Sequence, residues 1–510
     1  MDFLQFDEAV WERVASLLEY DAASPITLVS GFFLFAFVLF WPGYIGVVRR
    51  QRLRTLYIVL FSLYFYYKLS GTYLLLLLFV ALSDYCIGRL VGRSIMKGGR
   101  GRAWVVLSVA INVSILVYFK ATGFFADVLN DFCGNGTVDM WSVAVPAGVS
   151  FFVFQSLAYV VDISRGTIKP LVRFDEYLFL LSFFPKMFLG PLVKAKDFIP
   201  QMQNPRIDVS RDDMGRAAML IAGGIFKYSV VAKLLGVLLV EPAMAGEMGD
   251  GGFVALVAVY GFAIQIYCDF SGYSDVASGI ALLMGFRLPD NFNAPYKSAT
   301  ITEFWRRWHI SLSTWLRDYL YISLGGNRKG KVRTYLNLVI TMFLGGLWHG
   351  VSLTFMLWGL FHGVALALHK LWLAYVPGAK TAGEQMRPVW RSLGMVLTFH
   401  IVCFGWLLFM ADDMAQVEQV LHNIAFNFSF DEIVPVIETS VVAFAVLGLG
   451  FLMHFLPQRV NDGFMYAASR SGVVGQAMVL VAVVWLSMQC DMLLAANSVT
   501  PDNLPMYASY

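Results

Sequence analysis

Charged side chains are scarce in this sequence. Of its 510 residues, 14% are charged and 58% are hydrophobic, and the mean hydropathy is +0.65. Soluble globular proteins carry about 25% charged residues, so this chain has too few charges to cover a surface that faces water. We therefore expect most of its surface to face lipid. The net charge of +3 is too small to indicate a nucleic-acid partner.

Cysteine pairs and common catalytic motifs are also missing. The five cysteines show no CxxC spacing, which predicts neither a disulfide framework nor a zinc site. The sequence contains no GxSxG elbow, Walker A loop, GxGxxG or HExxH motif. A serine hydrolase, an ATPase and a zinc protease are therefore poor candidates. We expect no bound metal and no bound cofactor.

Long apolar runs are abundant and recur from Ile26 to about Cys490. A run of about 20 apolar residues crosses the hydrocarbon core of a bilayer, so we predict about twelve transmembrane helices in an all-α, polytopic integral membrane protein. Re-entrant and interfacial helices are expected as well. The apolar segment Phe174–Val193 contains Pro185 and Pro191, which predicts a broken or re-entrant segment lining a cavity.

Basic loops alternate with acidic stretches along the chain. Arg/Lys-rich loops such as 49–54 and 287–333 favour the cytoplasm, which puts the acidic amphipathic segment 1–24 outside. The acidic tail from Asp491 falls on the same outer side. We therefore predict a multi-pass protein of a bacterial inner membrane, with both termini periplasmic.

The first stretch whose residues could take part in catalysis or binding is FWRRWHISLSTWLRDYLYISLGGNRKG, Phe304–Gly330. An interfacial helix explains its aromatic and basic residues, because Trp and Tyr favour headgroup depth and Arg and Lys bind anionic lipid. That interpretation does not explain why His309 lies inside the run.

A second histidine lies in GGLWHG, Gly345–Gly350. As a straight helix, the 14 residues from Tyr335 to His349 rise roughly 21 Å, which carries His349 most of the way across a membrane. Imidazole suits general-base work near neutral pH, but a structural role is equally open. In the similar GLFHG, His362 would point about 220° away from His349 on one helix. We interpret His362 as structural.

A third polar stretch is CDFSGYSDVASG, Cys268–Gly279, inside a long apolar run. Buried carboxylates need partners. We interpret its polar residues as a structural network that joins helices, in preference to direct chemistry; they are Asp269, Ser271, Tyr273 and Asp275.

Several motifs in order resemble the membrane-bound O-acyltransferase (MBOAT) family, most closely its alginate O-acetyltransferase branch. They cover roughly 146–363 and comprise PAGVSFFVFQSLAYVVDISRG, FFPKMFLGPLVK, DFSGYSDVASGIALLMGFRLPDNFNAPY, FWRRWHISLS, LGGNRKG and GLWHG. The resemblance implies a ring of helices around a central funnel. It implies that His349 matches the catalytic histidine and that His309 matches a second functional histidine.

The resemblance also implies substrates and partners. The donor would be acetyl-CoA or another acyl thioester from the cytoplasm. The acceptor would be an exopolysaccharide such as alginate, reached through a separate periplasmic acetyltransferase, and lipids would surround the protein. Residues expected to bind the donor are Arg306, Arg307, Arg317, Asp318, Tyr319, Asn327, Lys329 and Trp348; for Arg306, Arg307 and Lys329, lipid contact is an equal alternative.

Four segments follow from these expectations. They are the external segment 1–24, N-terminal transmembrane helices 25–145, an MBOAT-like catalytic core 146–375, and C-terminal transmembrane helices 376–510. Alternatives within the same fold are D-alanyl transfer and acetylation of peptidoglycan or cellulose. A polysaccharide transporter or scaffold without catalysis is the alternative from another class.

Overall fold

Helices form the regular structure of the chain wherever it is described. The structure is a computed structural model, and it describes residues 18–22, 25–133, 144–376 and 387–496. No β-strand occurs within these ranges, so the predicted all-α class is confirmed there. Apart from 18–22, the predicted amphipathic segment 1–24 lies outside the described residues.

The chain divides into two compact units, which are described separately. The first contains the chain up to Phe119 and Ala144–Asp208, and the second contains Lys120–Val143 and Val209–Pro501. The helices of the first unit are α1 (Gly31–Val47), α2 (Gln51–Ser70), α3 (Leu74–Met96), the start of α4 (Arg102–Cys133), α5 (Val149–Ser164), α6 (Phe174–Ser182) and α7 (Ala195–Gln203).

Arg54 anchors the first unit. It is fully buried in α2 and donates hydrogen bonds to the main-chain carbonyls of Val48, Met202 and Asn204 at 3.0, 3.1 and 2.6 Å. A buried charge is costly unless it is hydrogen-bonded, and these carbonyls meet that need. The contacts tie α2 to the end of α7.

The predicted break after Phe174 is present at the end of α6. The helix stops at Ser182, and residues 183–194 are not helical. Pro185 contributes to this end because proline lacks the N–H that a helix requires. The Phe184 ring packs against α1 and α2, with centroids 5.9 Å from Phe40 and 5.0 Å from Phe61.

The second unit contains the end of α4 and the later helices. The longest, α8 (Arg211–Met244), contains π-helical turns at Phe226–Ala232 and Gly236–Val240. The later helices are α8 (Arg211–Met244), α9 (Gly252–Leu283), α10 (Ile301–Trp305), α11 (Ile310–Trp315), α12 (Lys331–His349), α13 (Leu353–Tyr375), α14 (Pro388–Met410), α15 (Met414–Phe426), α16 (Ile433–Thr439), α17 (Val441–Phe455), α18 (Gln458–Ser469) and α19 (Gly472–Ala496).

Helices α12 and α13 form a tight hairpin. A Cβ on Gly346 would lie 2.3 Å from the Phe355 carbonyl oxygen, and one on Gly359 would lie 2.5 Å from that of Met342. Only glycine lets the two backbones come this close. The Ser352 hydroxyl caps α13 by accepting from the Phe355 N–H at 3.2 Å. This hairpin fixes the position of the last residue of α12, His349.

Seven helices in the described ranges are long and apolar enough to cross a membrane, or eight if α16 and α17, bent by 99°, form one span. The predicted number of about twelve is not confirmed. Helices α2 and α3 count as one candidate of 46 residues, where the two apolar runs 56–69 and 73–90 of the sequence predict two spans. Helices α1 and α5 have 17 and 16 residues, shorter than the roughly 20 that a span needs.

Candidate active site

His349 ends α12 inside an aromatic pocket. Only 5% of the residue is exposed. Its ring centroid lies 4.6 Å from Trp348, 5.2 Å from Trp358, 5.0 Å from Phe409 and 6.2 Å from Phe355. The helix from Lys331 is continuous, which agrees with the straight helix assumed from the sequence. The aromatic walls keep bulk water away from this imidazole.

Lys120 on α4 holds the end of α12. Its ammonium donates to the carbonyl oxygens of Trp348 at 2.6 Å and His349 at 2.9 Å, and lies 5.5 Å from the Trp348 ring centroid. The last carbonyls of a helix lack partners within it and carry a partial negative charge, so a cation stabilises them. Lys120 was not predicted from the sequence, although a lone lysine in an apolar span is itself a signal.

His309 lies fully buried just before α11, in the left-handed region with φ 40° and ψ 57°. A residue with a Cβ rarely adopts this conformation, which costs free energy. Asn291 stabilises it. The Asn291 Oδ1 atom accepts hydrogen bonds from His309 Nδ1 at 3.0 Å, from the Ser311 N–H at 3.2 Å and from the Ser311 hydroxyl at 2.8 Å.

These contacts determine the tautomer of His309. The Ser311 main-chain N–H can only donate, so the Asn291 atom that it meets is the carbonyl oxygen. His309 Nδ1 must then carry a proton, which leaves the lone pair of the neutral ring on Nε2. Burial lowers the pKa of His309 to about 3. The ring is therefore neutral at physiological pH, and Nε2 is the basic atom.

In the structure, the two predicted histidines lie near each other. Lys120 and His309 both lie within electrostatic range of the His349 imidazole. His309, just before α11, and His349, at the end of α12, are 40 positions apart in the sequence. The pocket thus combines two imidazoles and one ammonium, groups that can move protons or stabilise negative charge.

The polar stretch on α9 forms a network that includes a residue outside the predicted set. The Lys227 ammonium, in the first π turn of α8, pairs with Asp275 at 2.5 Å and donates to the Ser271 hydroxyl at 3.1 Å. Asp269 and Tyr273 are buried in the same helix. Paired charges of this kind hold α8 against α9.

The same stretch also supports His309. The Ser274 hydroxyl accepts a hydrogen bond from the Asn291 amide nitrogen at 3.2 Å, and the oxygen of that amide fixes His309 Nδ1. A chain of hydrogen bonds therefore runs from α9 through Asn291 to the imidazole. Neither Asn291 nor Ser274 was singled out from the sequence.

Two predicted donor-binding residues are engaged within the protein. Trp348 packs on His349, as described above. Arg307 pairs with Glu303 at 2.8 Å and donates to the Asn293 carbonyl at 3.2 Å. Burial alone would raise the pKa of Glu303, but the Ala299 N–H, Arg307 and Arg391 together hold it below its ordinary value. The Arg307 side chain thus braces α10.

The other predicted donor-binding residues lie nearer the surface. Arg317 pairs with Asp318 at 2.7 Å in the π turn Leu316–Tyr321, and the Tyr319 ring stacks at 5.4 Å on Trp315. The exposed members are Arg306, Arg317, Asn327 and Lys329. The exposed cations Arg306, Arg317 and Lys329 are available to an anion or to lipid headgroups.

The remaining described histidines differ in their surroundings. His369 bonds Thr302 at 2.7 Å, His400 bonds Tyr260 at 2.8 Å, and His454 accepts from the Tyr296 N–H at 3.1 Å. His362 instead packs 5.0 Å from Trp358, the residue that also contacts His349. The single-helix estimate for His362 does not apply, because the chain turns at Gly350–Ser352. No group of three or more His, Cys, Asp or Glu side chains in the described ranges is placed to hold a metal ion.

Comparison with known proteins identifies a family whose matching region includes this pocket. The model of the membrane-bound O-acyltransferase family matches residues 112–410, a range that contains Lys120, Asn291, His309 and His349. The chain belongs to the membrane-bound O-acyltransferase family. The protein is thus an O-acyltransferase and a multi-pass membrane protein.

Three relatives show what this MBOAT protein is similar to. The probable alginate O-acetylase AlgI of Pseudomonas aeruginosa is 35% identical over 87% of this chain and 85% of its own length. The peptidoglycan O-acetyltransferase of Helicobacter pylori is 30% identical over 76% and 78%. The teichoic acid D-alanyltransferase of Streptococcus thermophilus is 30% identical over 54% and 70%. Similarity extends over more of this MBOAT chain for the acetyltransferases.

Proposed function

We propose that this protein takes an acetyl group from a cytoplasmic thioester and passes it across the bacterial inner membrane for O-acetylation of an exopolysaccharide such as alginate. His349 is the reacting base, and His309 orients the donor or shuttles a proton. The observation that carries this proposal is the pocket at the end of α12. There a buried imidazole has a lysine at its own carbonyl and a second imidazole of defined tautomer nearby.

The chemistry needs one proton acceptor and one leaving thiolate. A hydroxyl of the acceptor attacks the thioester carbonyl and gives its proton to His349. The C–S bond then breaks, and the departing sulfur takes the proton from the imidazolium. Acetylation of His349 itself, followed by transfer to the hydroxyl, uses the same residues. Either route conserves one acetyl group and one proton.

The proposed architecture separates donor from acceptor. About twelve spans in a ring around a funnel, with both termini periplasmic, would leave thin protein at the level of His349. A charged thioester donor cannot cross lipid, so the acetyl group alone passes through. Exposed Arg306 and Lys329 would attract an anionic donor such as acetyl-CoA on the cytoplasmic side. A periplasmic acetyltransferase partner would complete transfer to the polysaccharide.

D-alanyl transfer is a second candidate, because one relative is a teichoic acid D-alanyltransferase. Acetyl transfer is favoured because similarity to the alginate relative covers 87% of this chain, compared with 54% for the D-alanyl relative. Acetylation of peptidoglycan is favoured less, since that relative matches over 76%.

Turnover assays separate these candidates. Purified protein in nanodiscs, supplied with radiolabelled acetyl-CoA and alginate oligosaccharides, is expected to release free CoA. Turnover of a D-alanyl carrier-protein thioester but not of acetyl-CoA would favour the second candidate. Binding of the oligosaccharide with neither thioester consumed would contradict the proposal and indicate a transporter or scaffold.

Lys120 is expected to position His349. We expect Lys120→Met to lower kcat for acetyl transfer about tenfold, because loss of a charge-assisted hydrogen bond costs roughly 1.5–3 kcal/mol and lets the end of α12 move. KM for the donor should change less than kcat. Steady-state kinetics of Lys120→Met and Lys120→Arg provide the check. Lys120→Arg keeps the cation and should recover much of kcat; equal losses in both variants would argue against positioning by charge.

A further inference from the structure

A cleft lies in the first unit, between the loop that follows α5 and helix α7. It has a volume of about 500 Å³, and its described walls are residues 167–173, Glu176 and one face of α7. These residues all belong to the first unit, and none of them belongs to the candidate active site. We call this space the loop cleft and treat it as a candidate binding site of its own.

Helix α3 fixes the loop that forms one wall of the cleft. The Val172 carbonyl oxygen accepts hydrogen bonds from the Tyr85 hydroxyl at 2.5 Å and from the Arg89 guanidinium at 3.1 Å. A Cβ on Gly92 would lie 2.6 Å from the Pro170 ring, so glycine lets the loop lie directly against α3. A wall that is already in place lowers the free-energy cost of ordering a binding site.

Helix α7 forms another wall and is equally well fixed. Its Phe198 and Met202 side chains are buried, whereas Lys196 and Gln203 are exposed on the face that lines the cleft. The hydrogen bonds from Arg54 described above hold the end of this helix. Helix α7 therefore presents a polar face to the cleft from a fixed position.

Positive charge predominates in the loop cleft. Lys169, Arg173 and Lys196 line it, and Glu176 is the one acidic residue among its described lining residues. The Glu176 carboxylate lies 3.9 Å from the Arg173 guanidinium and accepts from the Gln203 amide at 3.0 Å, so it is engaged within the wall. Lys169 and Lys196 are exposed, and neither pairs with a carboxylate in the part of the chain that the structure describes. Two uncompensated cations favour an anionic ligand.

Most of the other lining residues are aliphatic. They are Ile168, Pro170, Leu171, Val172, Ile199 and Pro200. Among the described residues of the lining there is no aromatic ring, and nucleotide bases are commonly held by stacking on such rings. The adenine end of CoA therefore has no stacking partner of this kind in the cleft. Aliphatic walls beside two ammonium groups instead suit a molecule that carries a phosphate next to hydrocarbon.

We propose that the loop cleft binds one anionic phospholipid, with its phosphate at Lys169 and Lys196 and its glycerol and upper acyl chain against Val172 and Ile199. Clusters of lysine and arginine beside a membrane attract anionic lipids, and Val172 is 74% exposed next to these cations. The bound lipid would join the loop to α7. This inference does not rest on the proposed function, because the binding involves no acetyl transfer.

Binding of a short-chain lipid tests the cleft. Full-length protein in detergent, stripped of lipid, is equilibrated with radiolabelled dioctanoyl phosphatidylglycerol or with the zwitterionic dioctanoyl phosphatidylcholine. We expect a saturable site that prefers phosphatidylglycerol. The double variant Lys169→Gln/Lys196→Gln should raise its Kd about 20-fold, because each lysine near an anionic lipid strengthens binding roughly fivefold. Ile199→Trp, which keeps the charge but fills the cleft, should weaken binding as well.

A charge-matched control is available in the loop between α3 and α4 of the same unit. Lys97→Gln/Arg100→Gln removes two exposed cations there and should leave the Kd for phosphatidylglycerol unchanged. Equal weakening in this control would overturn the cleft and indicate general attraction to a basic surface. Displacement of the lipid by an equal concentration of inorganic phosphate or of acetyl-CoA would overturn the lipid assignment, and would indicate a free-phosphate site or a donor site respectively.

Discussion

His349→Ala is expected to lower acetyl transfer by about 10²- to 10⁴-fold, the range that a general base contributes. The imidazole is the proposed proton acceptor, and alanine at the end of α12 leaves no group that can replace it. Release of CoA from acetyl-CoA by purified protein measures the effect. KM for the donor should change far less than kcat, because the loss falls on the transition state.

A matched control is available on α14. His400 is an exposed histidine that bonds Tyr260 at 2.8 Å, so His400→Ala removes an imidazole from a membrane helix without touching the pocket. It should retain the wild-type rate. Wild-type activity in His349→Ala, with expression and folding preserved, would refute the assignment of His349.

Asn291→Leu is expected to lower acetyl transfer by about 10²-fold or more. Asn291 is the residue whose oxygen keeps the proton of His309 on Nδ1, and loss of the group that fixes a tautomer can cost orders of magnitude. Leucine has similar size but cannot accept. The measurement is kcat for acetyl-CoA, with protein stability followed in parallel by thermal unfolding.

Asn291→Asp distinguishes the tautomer from general damage. A carboxylate still accepts from His309 Nδ1 and from Ser311, although it loses the donation to Ser274. We expect this variant to keep much more activity than Asn291→Leu. If both variants lose the same activity at equal stability, the tautomer of His309 is not what Asn291 contributes.

The sequence predicts the helices well where nearby residues determine where a helix forms and where it ends. The apolar run around Cys268 becomes one helix, Gly252–Leu283, and α6 ends at Ser182, just before Pro185. The number of spans is less predictable, because hydropathy does not show where a helix bends or continues. Residues 51–96 read as two runs yet count as one candidate span.

The site was only partly predictable for a different reason. His309 and His349 were found through their motifs, but their partners are distant in sequence. Lys120 meets His349 across 229 positions, and Asn291 meets His309 across 18. No periodic pattern encodes such pairings. His362 shows the same limit, because its relation to His349 depends on the turn at Gly350.

Transport of acetyl across a sealed membrane tests the central claim most directly. Liposomes containing the protein receive acetyl-CoA on the outside only, with ¹⁴C in the acetyl group and ³H in the adenine, and enclose alginate oligosaccharides and the periplasmic partner. The account predicts ¹⁴C in the lumen, ³H remaining outside, and no luminal ¹⁴C with His349→Ala. Equal entry of ¹⁴C with His349→Ala, or label transfer only when donor and acceptor share one side, would contradict it.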